Sequence, residues 1–340
     1  MPFDQESLDN VLNGEDNQRA ISDARTMISN SRCILFAGAG TSQLAGYPLW
    51  RDLLNQLKDL LVGRGIDVSG IQSADPLIAA NEIYDCYTVN DLLELYHSFL
   101  CNCFGPHDNQ SLDLQKLLLS IPFSGIVTPN YDDCFERAIH ILQPAREHFP
   151  PMFKIDDNHA KNVRQFFDSL RRAKKAISVA HLHGVYDEPR QIILTQRQYT
   201  AAYGGSRDEL QLKQFSGAVG NWTLLRKTLW ALLATQRLVF VGFSMTDPFI
   251  YTLMQYVGGD LWDMTAPTHY FITHASRSTT HDPVMYARNL RNSLGVQTIF
   301  YEVVGDDHSA LNDVLSKLGA SQPTPGPSPS AISALLGPPA

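Results

Sequence analysis

The chain has 340 residues, of which 44% are hydrophobic and 18% are charged, and its formal net charge is -8. This composition is typical of a globular protein long enough for one large domain or a domain with an insert. An acidic chain whose densest basic cluster is residues 171–175 is a poor candidate for strong direct binding to duplex nucleic acid.

The cysteines and the apolar segments predict a cellular compartment. The 5 cysteines are odd in number and irregularly spaced, which does not indicate a disulfide framework. The first ten residues are acidic and polar, unlike a signal peptide, and no apolar run approaches the ~18 residues of a membrane span. We therefore expect a soluble protein in a reducing cytoplasm.

The first third of the chain predicts one strand followed by many helices. Residues 1–17 are polar and expected to be flexible, and Gln18–Asn30 has the apolar spacing of a helix. Cys33–Ala37 is a short, continuous apolar run, typical of a strand buried on both faces. Helices are expected over Trp50–Val62 and throughout 75–120, which predicts a helical insert at about 52–120.

From residue 125 onward, predicted strands alternate with predicted helices. The strands are Gly125–Val127, Ala176–Leu182, Ile192–Leu194, Leu238–Val241, His269–Thr273 and Val296–Tyr301. The helices are 133–142, 222–235, 248–257, 283–293 and 309–317. This alternation indicates an α/β fold with a Rossmann-like, doubly wound parallel sheet. We predict one such domain over 18–320, followed by a Pro- and Ser-rich, disordered tail at 321–340.

Four short motifs begin where predicted strands end, and that end of a parallel sheet is where ligands bind. They are GAGTS at 38–42, TPNYDD at 128–133, HLHG at 181–184 and GFSMTDP at 242–248. Glycines after a strand let backbone N–H groups approach a diphosphate. A histidine at a strand end suits a general base. The pair His181 and His183 also suggests a metal site, but no Cys, Asp or Glu set accompanies it nearby.

The four motifs in this order resemble the sirtuin family, and more closely its bacterial defence-associated branch of sirtuin-like NAD hydrolases. The resemblance implies NAD as substrate. Asn130 matches the family asparagine that orients the nicotinamide ribose and the attacking water, and His183 matches the family general base. The residues that the resemblance implies for NAD binding are Gly38, Ala39, Gly40, Thr41, Ser42, Thr128, Asp132, Gly242, Ser244 and Asp247.

The chain departs from the sirtuin deacylases in its cysteines. Those enzymes carry a four-cysteine zinc module between the HG pair and the late glycine–serine motif, whereas this chain has no cysteine between His183 and Ser244. We therefore expect no zinc and no acyl-lysine groove. The expected reaction is hydrolysis of the nicotinamide–ribose bond, giving nicotinamide and ADP-ribose. The pair Cys101 and Cys103, in the helical insert, is interpreted as packing residues.

The resemblance also implies a biological setting. It suggests an NAD-depleting effector of an anti-phage abortive-infection system. Such an enzyme needs control, so we expect a homo-oligomer regulated in trans, by a HerA-type ATPase in preference to a short Argonaute-like protein. Three alternatives stay open: a non-catalytic subunit that binds NAD or ADP-ribose, an NAD-dependent deacylase or ADP-ribosyltransferase, and nucleic-acid processing through an associated translocase.

Overall fold

The computed structural model describes residues 5–30, 33–144, 152–171, 177–205, 222–261, 268–276, 282–305 and 307–320. The strands are β1 (Cys33–Ala37), β2 (Gly125–Thr128), β3 (Met152–Lys154), β4 (Val179–His181), β5 (Arg237–Val241), β6 (His269–Ala275) and β7 (Val296–Glu302). They form one sheet in the order β3-β4-β2-β1-β5-β6-β7, and every pairing is parallel. The predicted Rossmann-like α/β class is confirmed.

The described helices lie between Gln5 and Gly319. They are α1 (Gln5–Asn13), α2 (Glu15–Asn30), α3 (Gly40–Gln43), α4 (Trp50–Val62), α5 (Pro76–Val89), α6 (Leu93–Phe104), α7 (Asp113–Ser120), α8 (Cys134–Leu142), α9 (Ala160–Arg171), α10 (Gln196–Tyr203), α11 (Leu224–Thr235), α12 (Pro248–Asp260), α13 (Pro283–Leu294) and α14 (Ala310–Gly319). None of the described helices is both long and apolar enough to cross a membrane.

The sheet is covered on both faces, as its sequence pattern predicts. Ile34 and Phe36 pack into a core with apolar residues of α9, α11 and α12. Their neighbours in the strand, Cys33 and Leu35, pack into a second core with residues of α2, α7 and α14. Successive side chains of a strand point to opposite faces, so both sets of β1 side chains must be apolar. This explains the continuous apolar run at 33–37.

A third core lies in the helices between β1 and β2. Leu57, Ile83, Tyr87 and Leu100, from α4, α5 and α6, are buried together. Tyr131, from the second motif, packs into the same cluster. The helical module formed by α4, α5 and α6 therefore lies directly against one of the motif loops.

Two predictions about local structure are wrong. Residues 5–17 are not flexible but helical, because Leu8 is buried and the Asn17 amide bonds to the backbone of Phe300 at 3.0 and 2.8 Å. Ile192–Leu194 is not a strand. The Ile193 N–H donates to the His183 carbonyl (2.9 Å), and its own carbonyl accepts from the Tyr131 hydroxyl (2.8 Å), so this backbone joins no ladder.

Other predictions lie at or beyond the edges of the described residues. β3 was not predicted; it is a three-residue edge strand that pairs with β4. The predicted disordered tail at 321–340 lies outside the described residues, and so does most of the basic cluster at 171–175.

Candidate active site

The four motifs follow four neighbouring strands. β4, β2, β1 and β5 lie side by side, and their last residues are His181, Thr128, Ala37 and Val241. Thr128 is in register with His181, and Ala37 with Val241. Because the strands are parallel, the motif loops meet at one edge of the sheet, where open α/β sheets bind ligands.

The first and fourth motif loops lie against each other, and this contact requires glycine. A Cβ atom on Gly38 would lie 2.5 Å from the Gly242 carbonyl oxygen, and one on Gly40 would lie 3.0 Å from the Gly242 Cα. Gly242 itself has φ +63°, and its Cβ would lie 2.5 Å from the Thr41 nitrogen. Side chains at these positions would force the two loops apart.

The N–H groups of the first loop are mostly engaged within the protein. Gly38 N–H donates to the carbonyl that ends β5 (2.9 Å), and Gly40 N–H donates to the carbonyl of the facing glycine (2.8 Å). The N–H groups of Thr41 and Ser42 close the turn of α3. In this loop, only the Ala39 N–H has no acceptor among the described residues. The predicted diphosphate cradle therefore requires a rearrangement and stays a prediction.

Asn130 ties the first loop to the second. Its side-chain Nδ2 donates to the Gly38 carbonyl (3.0 Å) and to Ser42 Oγ (2.9 Å). Its backbone N–H donates to Thr128 Oγ1 (3.0 Å), and that hydroxyl donates to the Ala37 carbonyl (2.8 Å). The residue is 8% exposed. Four of the predicted site residues are thus held in one hydrogen-bonded unit with the end of β1.

The orientation of the Asn130 amide follows from its partners. The Gly38 carbonyl can only accept, so the amide nitrogen must face it. The other amide atom, Oδ1, makes no hydrogen bond with any described residue. The site thus contains an acceptor held at a fixed position, which suits it to orient a water molecule or a ribose hydroxyl.

The two aspartates of the second motif have different partners. Asp132 is buried, and its Oδ1 accepts from the Cys134 N–H (3.1 Å) at the start of α8. Asp133 forms an ion pair with Arg137 (2.8 Å). Burial raises the pKa of Asp133, and the Arg137 charge offsets part of that rise. The role implied for Asp132 beside the nicotinamide stays a prediction, because its contact in this structure stabilises the turn.

His183 is enclosed by two tyrosines. It lies two residues beyond the end of β4 and is 1% exposed. Its Nε2 is 2.9 Å from the Tyr203 hydroxyl, and its Nδ1 is 3.2 Å from the Tyr199 hydroxyl. Burial lowers the pKa of His183 to about 3. The ring is therefore neutral near pH 7, and neither nitrogen is open to a substrate in this conformation.

Asp247 determines the direction of these hydrogen bonds. Its Oδ1 accepts from the N–H groups of Phe249 and Ile250 (3.0 and 2.9 Å), the predicted helix cap. Its Oδ2 accepts from the Tyr199 hydroxyl (3.2 Å). Tyr199 has one proton to donate, so its oxygen accepts from His183 Nδ1–H. His183 Nε2 then carries the lone pair and accepts from the Tyr203 hydroxyl.

His181 has a charged partner instead. Its Nε2 is 2.8 Å from a carboxylate oxygen of Glu136, and its Nδ1 is 3.0 Å from the Asn130 carbonyl. Burial by itself lowers the pKa of His181, but the Glu136 charge and the hydrogen bonds to Glu136 and Asn130 offset this, so the pKa is raised.

The fourth motif leaves two hydroxyl-bearing side chains exposed, Ser244 and Thr246. Ser244 is exposed, and its hydroxyl contacts the Thr246 hydroxyl at 2.5 Å. Between them, Met245 has φ 56°, an uncommon conformation for a non-glycine residue, and its side chain is buried. The turn therefore presents Ser244 outward, as its predicted contact with a ribose or phosphate requires.

Sequence reasoning missed several residues that hold the site. Tyr199 and Tyr203 are four apart, a spacing that places two tyrosines on one helical face, but helix α10 itself was not predicted. Glu136 could have been recognised from the sequence, because it is an acidic residue on the apolar side of α8. Gln115 donates from its Nε2 to the Thr41 carbonyl (2.6 Å), and no local sequence pattern indicates this contact.

No cluster of three or more His, Cys, Asp or Glu side chains that could hold a metal ion is found within the described ranges. All five cysteines are described and are free thiols. Cys103, in the insert, has its pKa raised by burial to about 11, which is consistent with the packing role interpreted from the sequence.

Comparison with known families identifies a SIR2-like domain in this chain. The SIR2-like domain family matches residues 124–299. This segment contains the second, third and fourth motifs, and therefore Asn130, His183 and Ser244.

Curated proteins with similar sequences have related names. The chain is 24% identical over 246 residues to the NAD(+) hydrolase ThsA of Enterococcus faecium, covering 72% of this chain and 44% of that protein. It is 28% identical over 220 residues to ThsA of Acinetobacter baumannii (strain 532279), covering 63% and 36% respectively. The match to defense-associated sirtuin 2 of Bacillus subtilis is 21% over 228 residues, covering 67% and 19%. The chain thus spans less than half the length of these relatives.

Proposed function

The chain belongs to the SIR2-like domain family, and from that membership we propose that it hydrolyses NAD at the nicotinamide–ribose bond, releasing nicotinamide and ADP-ribose. The observation that carries the proposal is Asn130, whose amide nitrogen is fixed by the first loop while its Oδ1 is left free. The similar proteins named as NAD(+) hydrolases agree with this assignment.

Departure of nicotinamide leaves positive charge on the ribose. The predicted site residues have different roles in this reaction. Asn130 Oδ1 accepts from the attacking water and orients it. His183 accepts a proton from that water or from a ribose hydroxyl, a contribution typically worth ~10²–10⁴ in rate. The Asp132 carboxylate favours the developing positive charge electrostatically. Ser244 contacts the adenosine side of the substrate.

His183 performs this step only after α10 moves. In the described conformation Tyr203 occupies the lone pair of Nε2, and Tyr203 is itself fully buried. We therefore assign the structure to a closed, resting state of the enzyme. Withdrawal of α10 would uncover the ring nitrogen and make room for the nicotinamide ribose.

The test is NAD consumption, followed by chromatography of nicotinamide and ADP-ribose. The protein is assayed alone over a range of concentrations, and together with a HerA-type ATPase or a short Argonaute-like protein. Asn130→Ala and His183→Ala should each abolish turnover with the fold intact. Tyr87→Phe, in the helical module, serves as a control that should leave turnover unchanged. Failure to detect nicotinamide under any condition, or turnover by a variant that combines Asn130→Ala and His183→Ala, would refute the proposal.

A second candidate is a non-catalytic subunit that binds NAD or ADP-ribose. The enclosed ring of His183 favours it, because a histidine with both nitrogens engaged needs no catalytic role. Calorimetry with NAD distinguishes the two: binding without product under every assay condition would favour the subunit.

We further propose that the protein acts in the cytoplasm as an abortive-infection effector, and that assembly controls the closed state. A homo-oligomer, with a HerA-type ATPase or a short Argonaute-like protein in trans, would then release α10. Light scattering tests whether the protein forms a homo-oligomer. A monomer at micromolar concentration that nevertheless consumes NAD would contradict control by assembly.

A further inference from the structure

Glu136 and His181 form a buried pair outside the residues assigned above. Glu136, on α8, is 0% exposed, and His181, at the end of β4, is 1% exposed. The distance between Glu136 Oε1 and His181 Nε2 is 2.8 Å. A carboxylate buried in this way is tolerated only when an opposite charge or a donor faces it. Its second oxygen, Oε2, has no hydrogen-bond partner among the described residues, so His181 is its main source of stabilisation.

The second contact of His181 fixes where its protons are. The Asn130 carbonyl can only accept, so Nδ1 must carry a proton. Nε2 faces the Glu136 carboxyl group, whose charge raises the pKa of His181, and this favours placing the proton that the two groups share on Nε2. His181 is thus an imidazolium that donates from both nitrogens. The carboxylate of Asp132 is a further negative charge close to the ring.

This arrangement acts on Asn130 through its backbone. The loop from β2 to α8 contains Asn130, and the imidazolium links the carbonyl in that loop to a carboxylate on the helix that follows. The backbone N–H of Asn130 is held by Thr128, and its side-chain nitrogen by the first loop. With the carbonyl also fixed, the peptide groups on both sides of Asn130 are fixed, and so is the position of Oδ1.

We propose that the Glu136–His181 pair is a positioning device for the active-site asparagine, setting the place of Asn130 Oδ1 without touching the substrate. The inference rests on the proposed hydrolase function. Displacement of a reacting group by about 1 Å can lower a rate on the order of 10²-fold. Loss of the hydrogen bond from His181 to the Asn130 carbonyl should therefore lower kcat while leaving KM nearly unchanged, because Asn130 would still be present but misplaced.

Two variants separate the carbonyl contact from the charge. In His181→Gln the new amide reaches the position of Nε2 and keeps a donor for Glu136, but the Asn130 carbonyl loses its donor. In the double variant Glu136→Gln/His181→Asn the new amide at 181 replaces Nδ1 and keeps the donor for Asn130, while both charges are removed. Glu188→Gln, which breaks the Lys154–Glu188 ion pair (2.6 Å), is the matched control.

The expected result is a loss of kcat on the order of 10–100-fold in His181→Gln, with KM within about twofold. The double variant should stay within about threefold of the wild type, and the control should be unchanged. Thermal unfolding establishes that each variant is folded. Equal kcat in the two folded variants would overturn the proposal.

Histidine-selective ¹⁵N NMR tests the pair without any turnover. At pH 7.5 the wild type should show a histidine protonated on both nitrogens, and Glu136→Gln should lose that signal. Its absence from the wild type would overturn the charged pair, even if His181→Gln does not fold. If the signal is present but no condition gives NAD turnover, the hydrolase proposal fails and the pair stands.

Discussion

His181 and His183 are separated by one residue, but they lie in opposite environments. His181 faces a carboxylate and a backbone carbonyl, so it is held charged and donates from both nitrogens. His183 faces two tyrosine hydroxyls and is held neutral. Both rings are buried, and burial alone favours the neutral form of a histidine. The anion at hydrogen-bond distance accounts for the difference.

The two environments suit two tasks. A charged, doubly donating ring makes strong hydrogen bonds and has no lone pair, so His181 can hold a structure but cannot accept a proton. A neutral ring has a lone pair, so His183 can act as a base once Tyr203 moves away. The comparison therefore predicts opposite responses of the two histidines to pH and to substitution.

The first of the two largest predicted effects is a loss of stability in acid that is caused by His183, and the second, of similar size, is the removal of Glu136. Its pKa is about 3 in the folded protein, and the ordinary value in the unfolded chain is ~6.5. The unfolded state therefore takes up a proton first, so the contribution of His183 is present above pH ~6.5 and is lost as pH falls towards 3. The groups that face the ring are the hydroxyls of Tyr199 and Tyr203, with Asp247 beyond Tyr199.

Urea unfolding at several pH values measures this effect. Between pH 7 and 4 the wild type should lose roughly 3 kcal/mol more than His183→Gln, which does not titrate. The raised pKa of His181 has the opposite sign: its contribution is present below pH ~6.5 and is lost as pH rises through the folded value. Equal acid dependence in the wild type and His183→Gln would contradict the enclosed, neutral ring.

The next effect comes from removing the carboxylate beside His181. Glu136→Ala leaves a buried imidazolium without its counter-charge, which typically costs about 3–5 kcal/mol of unfolding free energy. Urea unfolding at pH 6.5 measures the loss. Glu94→Ala, which removes an exposed ion pair with Arg190, is the control and should change stability by less than about 1 kcal/mol. A similar small change for Glu136→Ala would show that the pair is not charged.

The position of the two histidines at the carboxyl edge of the sheet was predictable from the sequence. Four apolar runs, each followed by a motif, were sufficient to place Asn130 and His183 at the carboxyl edge of a parallel sheet. A strand buried on both faces has a strong local pattern, and the four motif-bearing strands are adjacent in the sheet. The different environments of the two histidines were not predictable from the alternation HLHG. The partners of His181 lie 45 and 51 residues away in the chain, and those of His183 lie 16 and 20 residues away.

The wrong predictions share a physical reason. Ile192–Leu194 is apolar because Ile192 and Leu194 are buried in the helical module, and burial alone does not distinguish a strand from an irregular segment. Residues 5–17 are polar along most of their length, but Asn17 is anchored to β7, 283 residues further along the chain. Contacts over such separations are fixed by the fold and leave no local pattern.

A smaller effect is expected at the tyrosine that covers His183. Tyr203→Phe removes one buried hydrogen bond, worth about 0.5–1.5 kcal/mol of stability. Because that bond belongs to the closed state, its loss should shift α10 towards opening and raise turnover by up to about tenfold. Tyr87→Phe is the matched control, since its hydroxyl donates to the Leu57 carbonyl (2.9 Å) in the helical module. It should lose similar stability with no gain in turnover, and an equal gain in both variants would argue against α10 as the gate.

The smallest effect on stability, and the sharpest test of the His183 environment, is Asp247→Asn. The new amide oxygen can still cap Phe249 and Ile250, so stability should change by less than about 1 kcal/mol. The new amide nitrogen would then donate to the Tyr199 hydroxyl, which must turn its own proton towards His183 Nδ1. The ring would change tautomer, with the proton moving from Nδ1 to Nε2. Two-bond ¹⁵N–¹H spectra of histidine distinguish the tautomers, and an unchanged Nδ1–H form would show that Asp247 does not determine the protonation of His183.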